Sequence, residues 1–285
     1  MKSGACMTIY KSPLYETFFN QDFHNVLNNS SITILEHGYL CAAEDWRFRD
    51  TGLIDNKLYF VTKGKGYVET PEKTYELTPG SIYLVPAHTR FRYWCDPGFE
   101  KFYLHFIFSI LYANGIFEGI NRVLTADDET HVSETLAQIY KAGDRLRFLH
   151  VKPIIEQLII SFLEQIPERT EEYFQMGFLY QEIYQYIENH LCFTLSTEEI
   201  AQETGFPLSR LRTNFRQDMG CSVKQYARKI LFRRICNELK YSHQPIKAIA
   251  QNYGFEDVYY FSNWFKRCAG RSPSAFRKNL LEIKS

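Results

Sequence analysis

The chain has 285 residues, 45% of them hydrophobic, and its 33 basic and 33 acidic residues leave no formal net charge. This length suits two domains, and this apolar content excludes a disordered protein. The seven cysteines include no Cys-x-x-Cys pair, which favours reduced thiols in a cytosol over a disulfide framework or a zinc finger.

The sequence also carries no signal for export or membrane insertion. Met1–Tyr10 has no apolar stretch of the signal-peptide type. The longest apolar run, Phe102–Phe117, is interrupted by His105, Ser109 and Asn114 and falls short of a membrane span. We therefore expect a soluble, cytoplasmic protein.

The first part of the chain, to about residue 118, alternates short apolar runs with turn signals. Thr78-Pro79-Gly80 and Asp96-Pro97-Gly98 are typical turns. The strand-like runs between such turns are Lys57–Thr62, Gly66–Thr70, Ser81–Val85 and Lys101–Phe108. They predict a compact antiparallel β-barrel or sandwich.

From Glu129 the apolar period becomes helical. It predicts helices over His131–Lys141 and Val151–Gln165, and the second helix has a broad apolar stripe. That stripe suits core packing, a dimer seam, or a share of both. The charged, proline-containing segment Pro167–Glu172 is the predicted linker between a domain of residues 1–168 and a domain of residues 177–285.

A repeat marks the second domain, whose first helix is predicted over Phe178–Leu191. Ile200-Ala201-Gln202, followed by Gly205-Phe206, recurs 49 residues later as Ile249-Ala250-Gln251, followed by Gly254-Phe255. Each copy has the pattern of a short helix, a glycine turn and a second helix, so we predict two helix-turn-helix motifs at about residues 196–218 and 245–268. Ser196 and Glu199 form a capping-box pattern before the first copy.

The charges are segregated along the chain. Residues 205–285 hold 16 basic and 5 acidic residues, whereas residues 1–204 hold 17 and 28. A basic excess on helix-turn-helix motifs suits phosphate neutralisation on DNA. A solvated basic face without a partner is the alternative. The acidic half is expected to attract the DNA-binding face of the same chain when no effector is bound.

Helical spacing divides each second helix into two faces. The predicted core face holds Leu208, Leu211 and Phe215 in the first copy and Phe261, Trp264, Phe265 and Cys268 in the second. The opposite, DNA-binding face holds Ser209, Arg212, Thr213, Arg216, Tyr259, Ser262, Asn263 and Lys266. Arginine, asparagine, serine and threonine suit base edges in a major groove, whereas Arg216 and Lys266 suit phosphates. The alternative is that this face contacts only solvent and that Tyr259 packs against the protein itself.

A long helix is predicted over Ser222–Tyr241, between the two motifs. Its length of about 30 Å, at 1.5 Å per residue, approaches the rise of one DNA turn. Two recognition helices held at that spacing would enter successive major-groove segments on one side of the duplex.

The C-terminal third resembles the AraC/XylS family of bacterial transcription regulators over about residues 177–285. The specific match is Ile249-Ala250, Gly254-Phe255-Glu256-Asp257, Tyr260-Phe261-Ser262, Phe265-Lys266, Gly270, Ser272-Pro273 and Phe276-Arg277. The resemblance implies two helix-turn-helix units on a linking helix, with operator DNA and RNA polymerase as partners. Leu231, where the family has arginine, and Pro207, where it has serine, depart from the pattern.

The first domain resembles the cupin-type sensors of that family through Phe60–Gly66, Leu77–Ile82, Leu84–Pro86 and Leu104–Phe106. This implies an α+β protein whose cupin-like barrel binds a small effector, such as a sugar or related metabolite. Candidate effector contacts are Trp46, Arg49, Tyr59, Arg90, Tyr93 and His105, because aromatic faces stack on sugar rings and Arg or His bonds hydroxyls and carboxylates. His105 also suits an ordinary strand histidine.

Three function classes follow from these patterns. The first is a homodimeric DNA-binding regulator controlled by a small molecule. The second is an enzyme, either a cupin isomerase or oxygenase or an alkyl-transferase with this DNA-binding motif. It would need a metal cluster or an activated cysteine, and no two histidines have the His-x-His spacing. We therefore expect no metal, no cofactor and no catalysis. The third is an effector-independent regulator whose barrel serves dimerisation or partner binding.

Overall fold

A computed structural model describes residues 21–42, 46–50, 55–143 and 145–282. It is an α+β protein, as predicted. A β-rich domain is followed by helices. The strands are β1 Ser31–Ala42, β2 Trp46–Asp50, β3 Asn56–Lys63, β4 Gly66–Glu69, β5 Thr74–Leu77, β6 Ser81–Val85, β7 Phe91–Cys95, β8 Phe99–Ile110, β9 Ala113–Asn114 and β10 Leu124–Asp127. Each of the four predicted strand runs coincides with a strand or lies within one, to within a residue.

The strands form two antiparallel sheets that face each other. The first has the order β1-β8-β3-β6-β10, with β9 added to β8, and the second has the order β2-β7-β4-β5. Alternate residues of β3 point to opposite faces, so Tyr59 and Val61 lie between the sheets while Leu58 and Phe60 lie on the outer face. The space between the sheets is therefore the barrel interior.

The helices of the structure are α1 Gln21–Asn29, α2 Val132–Ala142, α3 Arg145–Phe148, α4 Val151–Leu163, α5 Pro167–Asn189, α6 Thr197–Thr204, α7 Leu208–Met219, α8 Val223–Tyr241, α9 Ile246–Asn252, α10 Val258–Ala269 and α11 Pro273–Glu282. The predicted helices over 131–141 and 151–165 are confirmed as α2 and α4. Ile155, Ile159 and Phe162 of α4 pack in the core on the outer face of the first sheet. No described helix is long and apolar enough to cross a membrane.

The segment predicted as the linker is helical. Residues 167–172 form the first turns of α5, a helix of 23 residues. Pro167 lies in the first turn, where a missing backbone N–H costs nothing because helix-start amides have no helical acceptor. Phe174 packs on the β-domain core, and Tyr184 packs in the core of the C-terminal helices. One continuous helix thus connects the two halves.

Candidate nucleic-acid interface and effector pocket

The first helix-turn-helix motif is α6, a turn at Gly205, and α7. Ser196 Oγ accepts a hydrogen bond from the Glu199 backbone N–H at 3.1 Å, which caps α6. The Glu199 carboxylate instead accepts a hydrogen bond from the Tyr186 hydroxyl. Gly205 has φ 68°, a left-handed conformation that favours glycine, and it ends α6.

The predicted core face of α7 points inward, with Leu208 half-buried and packed against the core. Leu211 and Phe215 are each 0% exposed. The Phe215 ring lies 4.8 Å from the Tyr180 ring and 5.7 Å from the Tyr226 ring. These aromatic contacts fix the rotation of α7 about its axis, so the residues on the opposite face, Ser209, Arg212, Thr213 and Arg216, are exposed. Their predicted outward orientation is confirmed, and their contact with DNA stays a prediction.

An ion pair holds Arg212 across the motif. Its guanidinium donates a hydrogen bond to the Glu198 carboxylate of α6, and both side chains are exposed. The pKa of Glu198 is lowered by a backbone hydrogen bond and by this bond to Arg212. Glu198, which the sequence alone did not single out, therefore lies beside Arg212 on the predicted DNA-binding face.

The second motif is α9, a turn at Gly254, and α10. Asp257 caps α10 by accepting hydrogen bonds from the backbone N–H groups of Tyr259 and Tyr260 at 2.8 and 3.3 Å. Phe261 and Phe265 are fully buried. On the opposite face Tyr259, Asn263 and Lys266 are exposed and Ser262 is half-buried, which confirms the predicted orientation of this helix.

Cys268 departs from the prediction. Helical spacing placed it on the core face of α10, but the structure leaves it exposed. Phe276 of α11 packs on Phe265 with ring centroids 5.4 Å apart. The core of this motif therefore ends at Phe265, about one helical turn before Cys268. The cysteine lines a groove beside Trp264, Arg271 and Phe276.

The helix α8 holds the two motifs together. Ser222 and Gln225 form a full capping box at its start. Its 19 residues correspond to about 28 Å. Ile230 packs in the core of the first motif, and Leu231 and Ile235 pack in the core of the second. Leu231, the departure from the family pattern, is fully buried and fills the second core.

In the β-domain, the barrel interior brings together some of the effector candidates. Tyr59 and Tyr93 lie between the sheets with ring centroids 5.8 Å apart. His105 lies on the same side of β8 as Tyr103, beside their β3 partners Lys57 and Tyr59. Arg90 is exposed in the connection before β7. Trp46 and Arg49 belong to β2, and their side chains lie outside the described part of the structure.

Polar residues that the sequence analysis did not select also line this interior. His105 Nδ1 lies 2.9 Å from Asp55 Oδ2 and 3.8 Å from Glu36 Oε2. Lys57 Nζ donates to the Asp55 carbonyl at 3.3 Å. Lys101 lies buried among tyrosine rings. The alternation of residues along β8 was the available signal, since it places 101, 103 and 105 on one face.

The two halves meet at Glu118, in the loop before β10. Its carboxylate accepts a hydrogen bond from the Arg233 guanidinium of α8, and Lys229 Nζ lies 3.7 Å away. His88 Nε2 lies 3.4 Å from the same carboxylate. The acidic half was expected to attract the DNA-binding face. Instead its contact falls on α8, and Arg212, Arg216 and Lys266 stay exposed.

Comparison with known proteins covers both halves. Residues 199–279 match the helix-turn-helix domain family, and residues 39–132 match the AraC-like ligand binding domain family. The arabinose operon regulatory protein of Escherichia coli is 28% identical over 247 residues, which is 80% of this chain and 82% of that protein. The multiple antibiotic resistance protein MarA of Escherichia coli is 30% identical over 103 residues, which is 36% of this chain and 81% of that protein.

Two further relatives extend the likeness along the chain. The Msm operon regulatory protein of Streptococcus mutans is 24% identical over 272 residues, covering 89% of this chain and 95% of that protein. The crystal structure of ToxT from Vibrio cholerae O395 covers 89% of this chain and 98% of that one, with 16% identity and a TM-score of 0.50. The second likeness is one of fold.

Proposed function

Because the chain belongs to the AraC/XylS family of DNA-binding transcription regulators, we propose that it reads operator DNA with α7 and α10. Ser209, Arg212 and Thr213 of α7 face one major-groove segment, and Tyr259, Ser262 and Asn263 of α10 face the next. Arg216 and Lys266 bind phosphates, one turn further along each helix. In this proposal residues 177–285 form the DNA-binding domain, and residues 1–168 form the effector-binding domain.

One observation carries this proposal: the two motifs bury equivalent faces and expose equivalent faces. Phe215 and Phe265 are each 0% exposed, and the polar residues of the opposite faces remain accessible in both copies. A helix whose core face is fixed in this way presents its outer residues to a groove without rearrangement. The uneven charge of the chain supports the same use, since the basic excess lies on these motifs.

The test is selection of DNA by the purified full chain. Fragments of the source genome retained by the protein at about 150 mM salt should share one sequence motif, because at that salt nonspecific phosphate contacts are weakened. A variant with Arg212→Ala and Asn263→Ala should lose that enrichment. Retention of fragments without a shared motif would contradict sequence-specific binding.

We propose further that a small molecule in the barrel controls DNA binding, which makes the protein a regulator and not an enzyme. Tyr59, Tyr93 and His105 converge in the interior, and the arabinose operon regulator relative points to a sugar or related metabolite. A change in operator affinity on adding the bound metabolite tests this. Operator affinity that no bound small molecule alters would favour the alternative, an effector-independent regulator whose barrel serves dimerisation or partner binding.

We also propose that the chain acts as a homodimer that contacts RNA polymerase at promoters in the cytoplasm. Leu146, Leu149 and Ile160 on or beside α3 and α4 are 70%, 71% and 48% exposed, which supports an apolar contact between copies. Sedimentation equilibrium of the full chain and of a variant with Leu149→Glu and Ile160→Glu tests the dimer. A wild-type monomer at micromolar concentration would contradict it.

A further inference from the structure

The barrel interior holds a lysine whose ammonium lies among aromatic rings. Lys101 of β8 is 4% exposed. Its Nζ lies 3.3 Å from the ring centroid of Tyr59, 4.1 Å from that of Tyr93 and 5.7 Å from that of Tyr103. These three tyrosines come from three strands, so closure of the barrel brings their rings together around the Lys101 ammonium. We call this arrangement the cage.

The neighbouring carboxylates are directed elsewhere. Asp55 and Glu36 both lie near His105, which is four residues further along β8 than Lys101. The closest carboxylate in the sequence, Glu100, points to the other face of β8, where it pairs with Lys63 and accepts from the Tyr39 hydroxyl. In the part of the chain that the structure describes, tyrosine rings surround the Lys101 ammonium, and Cys95 and Lys57 are its nearby titratable groups.

Aromatic faces alone do not compensate a buried ammonium. A desolvated cation–π contact contributes about 2 kcal/mol, whereas the effective penalty of burying an ion is several kcal/mol. Burial accordingly lowers the pKa of Lys101 well below its usual value; Cys95 opposes this shift, and the nearby Lys57 adds to it. An anion placed beside Nζ would favour the charged form of Lys101 and offset the desolvation.

We propose that the effector carries an anionic group, a carboxylate or a phosphate, that binds Lys101 inside the barrel. This inference rests on the proposed effector-binding role of the barrel and specifies the chemical class of the effector as an acidic or phosphorylated metabolite. The body of the ligand stacks on Tyr59 and Tyr93. Burial raises the pKa of Tyr103 to about 12, so its hydroxyl keeps its proton at neutral pH and is available as a donor.

The test compares the full-length wild-type protein with Lys101→Met, using inorganic phosphate and acetate as probes. Thermal unfolding is recorded in each anion and in chloride at equal ionic strength. The wild type should gain about 2–4 °C more than Lys101→Met in at least one probe, which corresponds to about 1 kcal/mol of binding for a domain of this size. The probe with the larger difference distinguishes phosphate from carboxylate.

Two control variants make the result specific. Lys73→Met removes one exposed lysine from the same domain and should respond as the wild type does. Lys101→Arg keeps the charge and should retain the extra shift, and Lys101→Gln replaces Lys101→Met if the latter does not fold. Phosphate bound at the DNA-binding face acts on every variant alike and cancels in the comparison.

Equal anion-induced shifts in the wild type and Lys101→Met would overturn the proposal, since they would mean that the chain itself accommodates this charge. Operator binding of the same preparations tests the proposed function separately. Loss of specific DNA binding would refute the proposed regulatory function and leave the anion-binding result unaffected. Equal anion-induced shifts in unfolding temperature with intact DNA binding would refute only the anionic effector.

Discussion

Arg233 of α8 donates a hydrogen bond to the carboxylate of Glu118, and this bond joins the DNA-binding half to the β-domain. The Arg233 side chain is 8% exposed, and burial lowers its pKa to about 10. Removing one partner of a buried ion pair is costly because the other charge is left without compensation. The contact therefore ties α8, and the two motifs packed on it, to the β-domain.

Glu118→Gln is expected to raise the affinity of the ligand-free full chain for operator DNA. The substitution removes the charge that Arg233 and Lys229 share, so the β-domain holds α8 less firmly. A coupling of about 1–3 kcal/mol between domain contact and DNA binding corresponds to about 5–150-fold in affinity. Fluorescence anisotropy at one salt concentration measures the change.

Glu72→Gln is the control for this experiment, because it removes one exposed acidic charge from the same domain without touching α8. It should leave operator affinity within about twofold of the wild type, since surface charges away from the interface act weakly. If Glu118→Gln and Glu72→Gln bind operator DNA with equal affinity, the Glu118 contact does not restrain DNA binding.

Arg212→Ala and Arg216→Ala are expected to affect DNA binding differently, the first in sequence preference and the second in overall affinity. Loss of Arg212 should cost about 1–3 kcal/mol on the preferred operator and relax the preference at one base pair. Loss of Arg216 should weaken binding to all sequences alike and reduce the salt dependence by about one phosphate contact. Titrations on a matched and a mutated operator separate the two effects. Unchanged affinity of Arg212→Ala would refute its role in base reading.

The stability of the protein should fall as pH drops from about 6.5 towards 4, in part because of His88. The pKa of His88 is lowered from 6.5 to about 4, chiefly by burial and also by the positive charges of Arg233, Lys229 and Lys57, while Asp55 opposes the shift. Below the unfolded-state pKa the unfolded chain therefore binds a proton that the folded chain does not, so folded-state stability is lost across this window.

His88→Asn should flatten that part of the pH profile in urea unfolding, and it suits the site because asparagine tolerates the left-handed backbone at φ 60°. His243→Asn, at an exposed position, serves as the comparison. A profile of His88→Asn parallel to that of the wild type between pH 6.5 and 4 would contradict the assignment.

Local spacing predicted the DNA-binding half well because its signals are local. Helical periodicity placed Phe215 and Phe265 inside, and the glycine turns located both motifs. The prediction failed where distant residues decide the outcome. Phe276 of α11 closes the second core and leaves Cys268 outside, and the helix predicted to begin at Phe178 begins at Pro167, with Phe174 packed on the β-domain core. Helix propensity and turn signals do not contain these contacts.

The barrel interior was predicted only in part for the same reason. Tyr59, Tyr93 and His105 were selected as aromatic or polar residues near strands, but Lys101 was not, because a lysine in a strand pattern is usually solvent-facing. Its burial follows from the pairing of β8 with β3 and from closure by β7. Three further strands, β4 to β6, separate β3 from β7 and β8 along the chain, so no short window of sequence contains all three tyrosines and Lys101.

Hydroxyl-radical footprinting of the full chain on its selected operator tests the central claim most directly. With α7 and α10 held on α8, whose length is about 28 Å, one monomer should protect two major-groove segments about ten base pairs apart on one face of the duplex. Asn263→Ala should weaken protection of one segment and Arg212→Ala that of the other. Protection of a single segment, with Asn263→Ala harmless, would contradict two-motif recognition.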